Sequence, residues 1–300
     1  NYRSGALEEA LCKRHKYKEL LELASKSMKS DKPLAALAYV SAAIKKSSAA
    51  DSKEDVRMGS QDWLERQKLF TEALVGTAAL AEAGKLRWLP PDESENTVEI
   101  MLQLAANYIR DVDRMDRRGK GTKDDSPPEQ KYAPAIKAWD ELFKLYLGKL
   151  HRLQSRNEPH KIISYCDGML YETAGRYVSF VDECFGPEKV LEKVPDGVKK
   201  ELEKKAKTPK EKVAALNELI RTEKYSPDFP GKKEFAGAGT KARYKLGMEE
   251  LVKGNYSNSF MYFREILRQD PQRAEASDIR DRIASRIEDA RKSKDFGTIY

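Results

Sequence analysis

RYKLGMEELVKGNYSNSFMYFREILRQDP, residues 243–271, is the stretch that decides the fold. A Gly-x-Tyr opens its second half, an Asp-Pro closes it, and aromatic residues run between them at helical spacing. Two helices joined by a tight turn satisfy this pattern. Gly247 and Ser259 are small and let the helices approach. Gly254 supports the turn. Tyr256 and Phe263 fill the groove toward a neighbouring helix, with Leu246 on the first helix. Pro271 stops the second helix and starts the next. One such hairpin cannot bury its own apolar faces, so others are expected to stack against it.

Outward from the hairpin, nearly every segment has helical period and almost none alternates like a strand. Ala, Leu, Glu, Lys and Arg dominate, and all favour helices. The expected fold class is all-α: stacked antiparallel helical hairpins, elongated or bent where the helices are long. Helices are expected at about 5–30, 33–46, 54–83, 94–117, 128–156, 160–184, 188–193, 197–205, 210–222, 240–253, 257–269 and 272–294. Pro33, Pro159, Pro187 and Pro209 punctuate them, Gly84 is placed as a C-cap, and Ser94 and Thr208 as N-caps. Residues 225–239, rich in Pro and Gly, read as a loop. The expected organisation is an N-terminal helical region (1–117), a polar loop (118–128), a long-helix region (129–192), basic short helices with a loop (193–239), and the hairpin with a capping helix (240–300).

Charge is unevenly placed. The chain has 56 Lys and Arg against 49 Asp and Glu, a net +7. Residues 193–245 hold 15 basic and 8 acidic side chains, which is the whole excess. An acidic partner would be steered there. The candidate contact residues are Lys232, Lys233, Lys241 and Arg243, together with Arg117, Arg118, Lys120 and Lys123 in the polar stretch 117–128. Tyr225, Phe229, Phe235 and Tyr244 interleave with the basic residues, so a nucleic-acid-binding helical surface is the alternative. No apolar run approaches the roughly 20 residues of a membrane span. The chain opens Asn-Tyr-Arg without Met, as expected of a mature or trimmed form.

Catalytic chemistry finds little footing. Cys12 and His15 stand one helical turn apart without a second ligand pair. His160 and Cys166 lack a third group to orient them. Residues 119–122, Gly-Lys-Gly-Thr, lack the spacing and preceding strand of a phosphate loop. Asp111, Asp113 and Asp116 alternate with Arg110, Arg114 and Arg117 as a salt-bridged helix end does. Cys12, Cys166 and Cys184 are an odd count, which argues against a disulfide framework; Cys166 and Cys184 pair only if their segments fold back on each other. No enzyme activity, cofactor or metal is expected.

Residues 243–271 resemble one tetratricopeptide repeat. The match lies at Leu246, Gly247, Gly254, Tyr256, Ser259, Phe263 and Pro271; Arg243 departs from the usual Trp and Glu250 from the usual Tyr. The resemblance covers about a tenth of the chain and implies a surface for protein partners. The whole chain, helical, Lys-rich and ending in a repeat-like hairpin, resembles the flagellar coiling and sheath proteins of spirochaetes. That resemblance implies a periplasmic coat component contributing to filament curvature and motility. The alternative is similarity to repeat-containing periplasmic partners of solute transporters.

Overall fold

Helix-forming composition and frequent Pro and Gly punctuation lead to an all-α chain in the computed structural model. The structure describes residues 2–48, 58–86, 91–117, 125–269 and 274–293, and these contain no strand. The chain divides into two compact units. One comprises residues 1–146 with 183–186, the other 147–182 with 187–300.

In the first unit, α1 (Tyr2–Arg14), α2 (Tyr17–Lys29) and α3 (Pro33–Ser48) pack around Tyr17, Leu20, Ala42 and Ala43. The expected single helix over 5–30 is broken at His15 and Lys16. The Glu19 carboxylate accepts from the Lys16 backbone N–H at 3.0 Å and starts α2 afresh, which turns Tyr17 into the core. α4 (Gln61–Glu82) is capped by the Ser60 hydroxyl, which accepts from the Trp63 N–H at 3.2 Å. The expected start near 54 lies outside the described residues. α3 and α4 meet closely: a Cβ at Gly76 would lie 2.5 Å from the Pro33 Cβ.

α5 (Pro91–Ala106) begins before Ser94, because proline suits a first helical turn, and the break at Asn107 starts α6 (Tyr108–Arg117). Val98, Leu102, Ala105, Ile109 and Met115 are buried. After the short α7 (Pro128–Lys131), Tyr132 leaves helical geometry before α8 (Ala133–Ser155).

In the second unit, α9 (Pro159–Gly168) passes through a π-helical segment (Met169–Thr173) into α10 (Ala174–Phe185). The short helices α11 (Pro187–Glu192), α12 (Asp196–Lys205) and α13 (Pro209–Arg221) follow, with α11 and α12 packed on α13. Thr208 and Glu211 form a reciprocal capping box at the start of α13.

α14 (Lys232–Val252) packs on α9 and on α15 (Tyr256–Gln269), and α16 (Ala274–Ser293) packs on α15. α14 corrects the loop expected over 225–239. Its helix starts eight residues before the expected 240, so that Gly239 can approach Cys166: a Cβ there would lie 3.3 Å from the Cys166 Cβ. Glycine in this helix serves close packing rather than flexibility. Phe235, fully buried between Phe229 and Tyr165, anchors the helix start and contributes about 3 kcal/mol.

Candidate functional site

The α14–α15 hairpin is built as small residues inside and large ones outside. Gly254, at φ +81°, makes the turn. Glu250, whose position departs from the repeat pattern, ties that turn. Its carboxylate accepts from Lys253 at 2.9 Å, Asn255 Nδ2 at 2.8 Å and Asn258 Nδ2 at 3.3 Å. The Lys253 hydrogen bond leads these in holding the acid down at about 2.

Inside, the Ser259 hydroxyl donates to the Gly247 carbonyl at 2.8 Å, and Ser259 is 2% exposed. The Phe263 ring lies over Gly247, where a Cβ would come within 2.3 Å of Cε1. Leu246 is buried nearby. Gly247, Ser259 and Phe263 are thus brought together, while Tyr256 sits at the edge. The Arg286 guanidinium lies 4.6 Å from the Tyr256 ring centroid and donates to its hydroxyl. The Tyr244 hydroxyl donates to Asp278, which also accepts from Arg282 Nε at 2.6 Å. These bonds, with Arg282's first, keep Asp278 below the ordinary aspartate range. Pro271 lies outside the described residues.

The outer face of the hairpin carries side chains that the sequence reading passed over. Val252 is 84% exposed, Phe260 52% and Met261 50%, with Tyr256 alongside. A signal for them exists. Residues 260–263 are four consecutive large hydrophobics, Phe-Met-Tyr-Phe. At about 100° per residue they sweep most of the way round a helix, so a single buried face cannot cover them all. Arg264 is exposed one turn beyond Phe260.

The basic candidates separate. Lys233 and Lys241 are exposed. Lys232 Nζ donates to the Ser226 carbonyl at 2.5 Å and to Asp228 at 3.3 Å, pinning the loop before α14. Arg243 is not part of a contact surface: it is 4% exposed and ion-paired with Asp167 where α14 packs on α9. Gly239, one turn earlier, leaves space for that guanidinium. Arg118, Lys120 and Lys123 lie outside the described residues, as does the side chain of Arg117. Lys200, Lys204, Lys207 and Lys210 are exposed on α12 and the start of α13. Phe229 and Phe235 are buried and Tyr225 and Tyr244 partly so, so the aromatic residues of this segment pack inward.

The other candidates are used structurally. The Cys12 thiol donates to the Ala42 carbonyl at 3.0 Å. Cys166 and Cys184 are free and buried, and burial pushes both thiols up to about 12. Asp116 pairs with Lys131 at 2.6 Å, and Asp113 accepts from the Tyr132 hydroxyl at 3.4 Å. Burial raises Asp111 to about 6, against the opposing pull of Arg114 and Arg66. Among the described residues no three His, Cys, Asp or Glu side chains are grouped to hold a metal ion, and no helix is long and apolar enough to cross a membrane. In the first unit a cleft of about 720 Å³ opens beside α4, between Leu64, Lys68 and Glu72 on one side and Gln130 and Lys137 on another. α5 of the same unit turns Ile100 (58% exposed) and Leu104 (50%) outward. No protein-family model matches this sequence, and no curated protein or solved structure matches it either.

Proposed function

We propose that this protein is a non-enzymatic assembly subunit whose helical hairpins bind other proteins. The carrying observation is the allocation of residues in the α14–α15 hairpin: Ser259 and Gly247 sit inside, while Val252, Phe260 and Met261 face out. Folding alone gains nothing from exposing them, whereas a protein interface does. The exposed lysines of α12 and α13 supply a field for an acidic partner.

The specific form of this reading is a coat component of a periplasmic flagellar filament, contributing to its curvature. It draws on the tetratricopeptide-like hairpin and on the whole-chain resemblance to spirochaete flagellar coiling and sheath proteins. The test is capture from a nuclease-treated native extract at two salt concentrations, by the wild type and by Phe260→Ser/Met261→Ser. Filament proteins retained by the wild type and lost with the variant support the proposal. Recovery of nucleic acid alone, released by salt, would move the basic helices to a different role.

A second reading, a partner of a solute transporter, is favoured by the first unit's cleft, whose volume suits a small ligand. A solute that raises the melting temperature, with Lys68→Ala abolishing the rise, would select it.

A further inference from the structure

Two helix faces on this chain are apolar, outward and opposite in charge setting. On α15, Tyr256 and Phe260 are one turn apart, with Met261 beside them and Val252 at the end of α14. The charges around this face lean positive. Glu250 is engaged by Lys253, Asn255 and Asn258, and Glu265 by Arg268, while Arg264 is exposed and Arg286 sits over Tyr256. On α5, Ile100 and Leu104 are likewise one turn apart. Residues 91–106 contain Asp92, Glu93, Glu95 and Glu99 and no Lys or Arg. Carboxylates in a first turn complement the helix dipole, but Glu99 lies well beyond it, so the excess is more than an end effect.

We infer that the protein self-associates head to tail, with the α15 face of one copy seated on the α5 face of another. Each face presents two large apolar side chains at a spacing of four residues, and each supplies the charge the other lacks. The contact is heterologous, so both faces of every copy are used and the number of copies is not limited to two by the contact itself. Two crossed helix faces bury less than the roughly 1,200–2,000 Å² of a stable complex. A single contact is therefore weak, and many together are strong. This rests on the assembly reading and names its partner as a second copy.

The test uses two full-length variants, Phe260→Ser/Met261→Ser and Ile100→Ser/Leu104→Ser, each checked for native helicity by circular dichroism. Mass is followed by analytical ultracentrifugation across concentration. The wild type is expected to grow in average mass with concentration. Each variant alone is expected to stay monomeric, and an equimolar mixture to form a one-to-one dimer, because one variant keeps an intact α5 face and the other an intact α15 face. Arg264→Glu, at an exposed site, is expected to weaken wild-type association about fivefold at low ionic strength and less at high. A wild type and a mixture that stay monomeric throughout would overturn the inference. So would association of the α5 variant with itself, which means like faces pair. In either case, capture of filament proteins from extract would leave the assembly reading standing without this partner.

Discussion

Gly247 and Gly168 are both helical glycines, but they differ in what surrounds them. A methyl group at 247 would meet the Phe263 ring at 2.3 Å; at 168 it would meet nothing within 4 Å. Gly247→Ala is expected to destabilise the second unit by about 1–3 kcal/mol through forced repacking. Gly168→Ala is expected to be neutral or to stabilise by up to about 1 kcal/mol, from helix propensity. Urea titrations of the two variants read this difference directly. Asp111 supplies a pH test. Its ordinary value is 3.8 and burial lifts it to about 6 in the folded chain. Between those values the folded state holds the extra proton, so this group's contribution to stability falls as pH rises from about 4 to 6. Its ionisation then costs up to about 3 kcal/mol at pH 7. Asp111→Asn is expected to gain stability relative to wild type at pH 7, with the gain shrinking toward pH 4. A stability difference independent of pH would show that the acid titrates normally.

At the scale of elements, the contact of α9 with α14 is held by an unequal pair. Arg243 is almost wholly buried, while the side chain of Asp167 is 41% exposed. Removing the carboxylate leaves a buried guanidinium without its counter-charge; removing the guanidinium leaves an aspartate that water already reaches. Asp167→Ala is therefore expected to lower stability by about 3 kcal/mol and Arg243→Met by clearly less, measured as the shift in urea midpoint. Equal losses would mean that packing, not charge, governs the contact. Helical period made the existence of almost every element readable, since apolar residues such as Leu102, Ala105 and Ile109 recur on one face. The breaks were harder. At Lys16, Asn107 and Tyr132 neither Pro nor Gly marks the interruption; backbone capping and tertiary packing do. At Gly239 the opposite error arose, because a glycine that permits close helix approach has the same letter as one that permits a turn. Arg243 was legible as a cation, but its burial depends on Asp167, 76 residues away in sequence.

Over the whole molecule, the two units offer a spectroscopic separation. Trp63, Trp88 and Trp139 all belong to residues 1–146, whereas helices lie in both units. Tryptophan emission should therefore follow the first unit alone, while circular dichroism follows both. The two urea curves are expected not to superimpose. Leu102→Ala should shift the emission curve by about 2–5 kcal/mol of stability, and Phe235→Ala should shift only the part seen by circular dichroism. Superimposed curves in all three proteins would show one cooperative unit. The division itself was not readable along the chain, because residues 183–186 leave one unit's sequence to join the other. The outward face of the hairpin was only partly so: its inner contacts follow from small residues at 247 and 259, but which of four adjacent hydrophobics faces out is decided by the neighbouring helices.

The π-helical segment at 169–173 carries a consequence for chain length. It holds one residue more than an α-helical turn would, and the Leu170 carbonyl there accepts from the Ser226 hydroxyl at 2.8 Å instead of relying on the helix alone. Excising a single residue would let the α-helical ladder run straight through. The phase of everything downstream would then advance by about 100°. Val178, Phe180 and Cys184, all now buried, would rotate off their seats together. Helical phase across this point is thus a property of residue count, and a one-codon deletion there should be far more damaging than any single substitution within it.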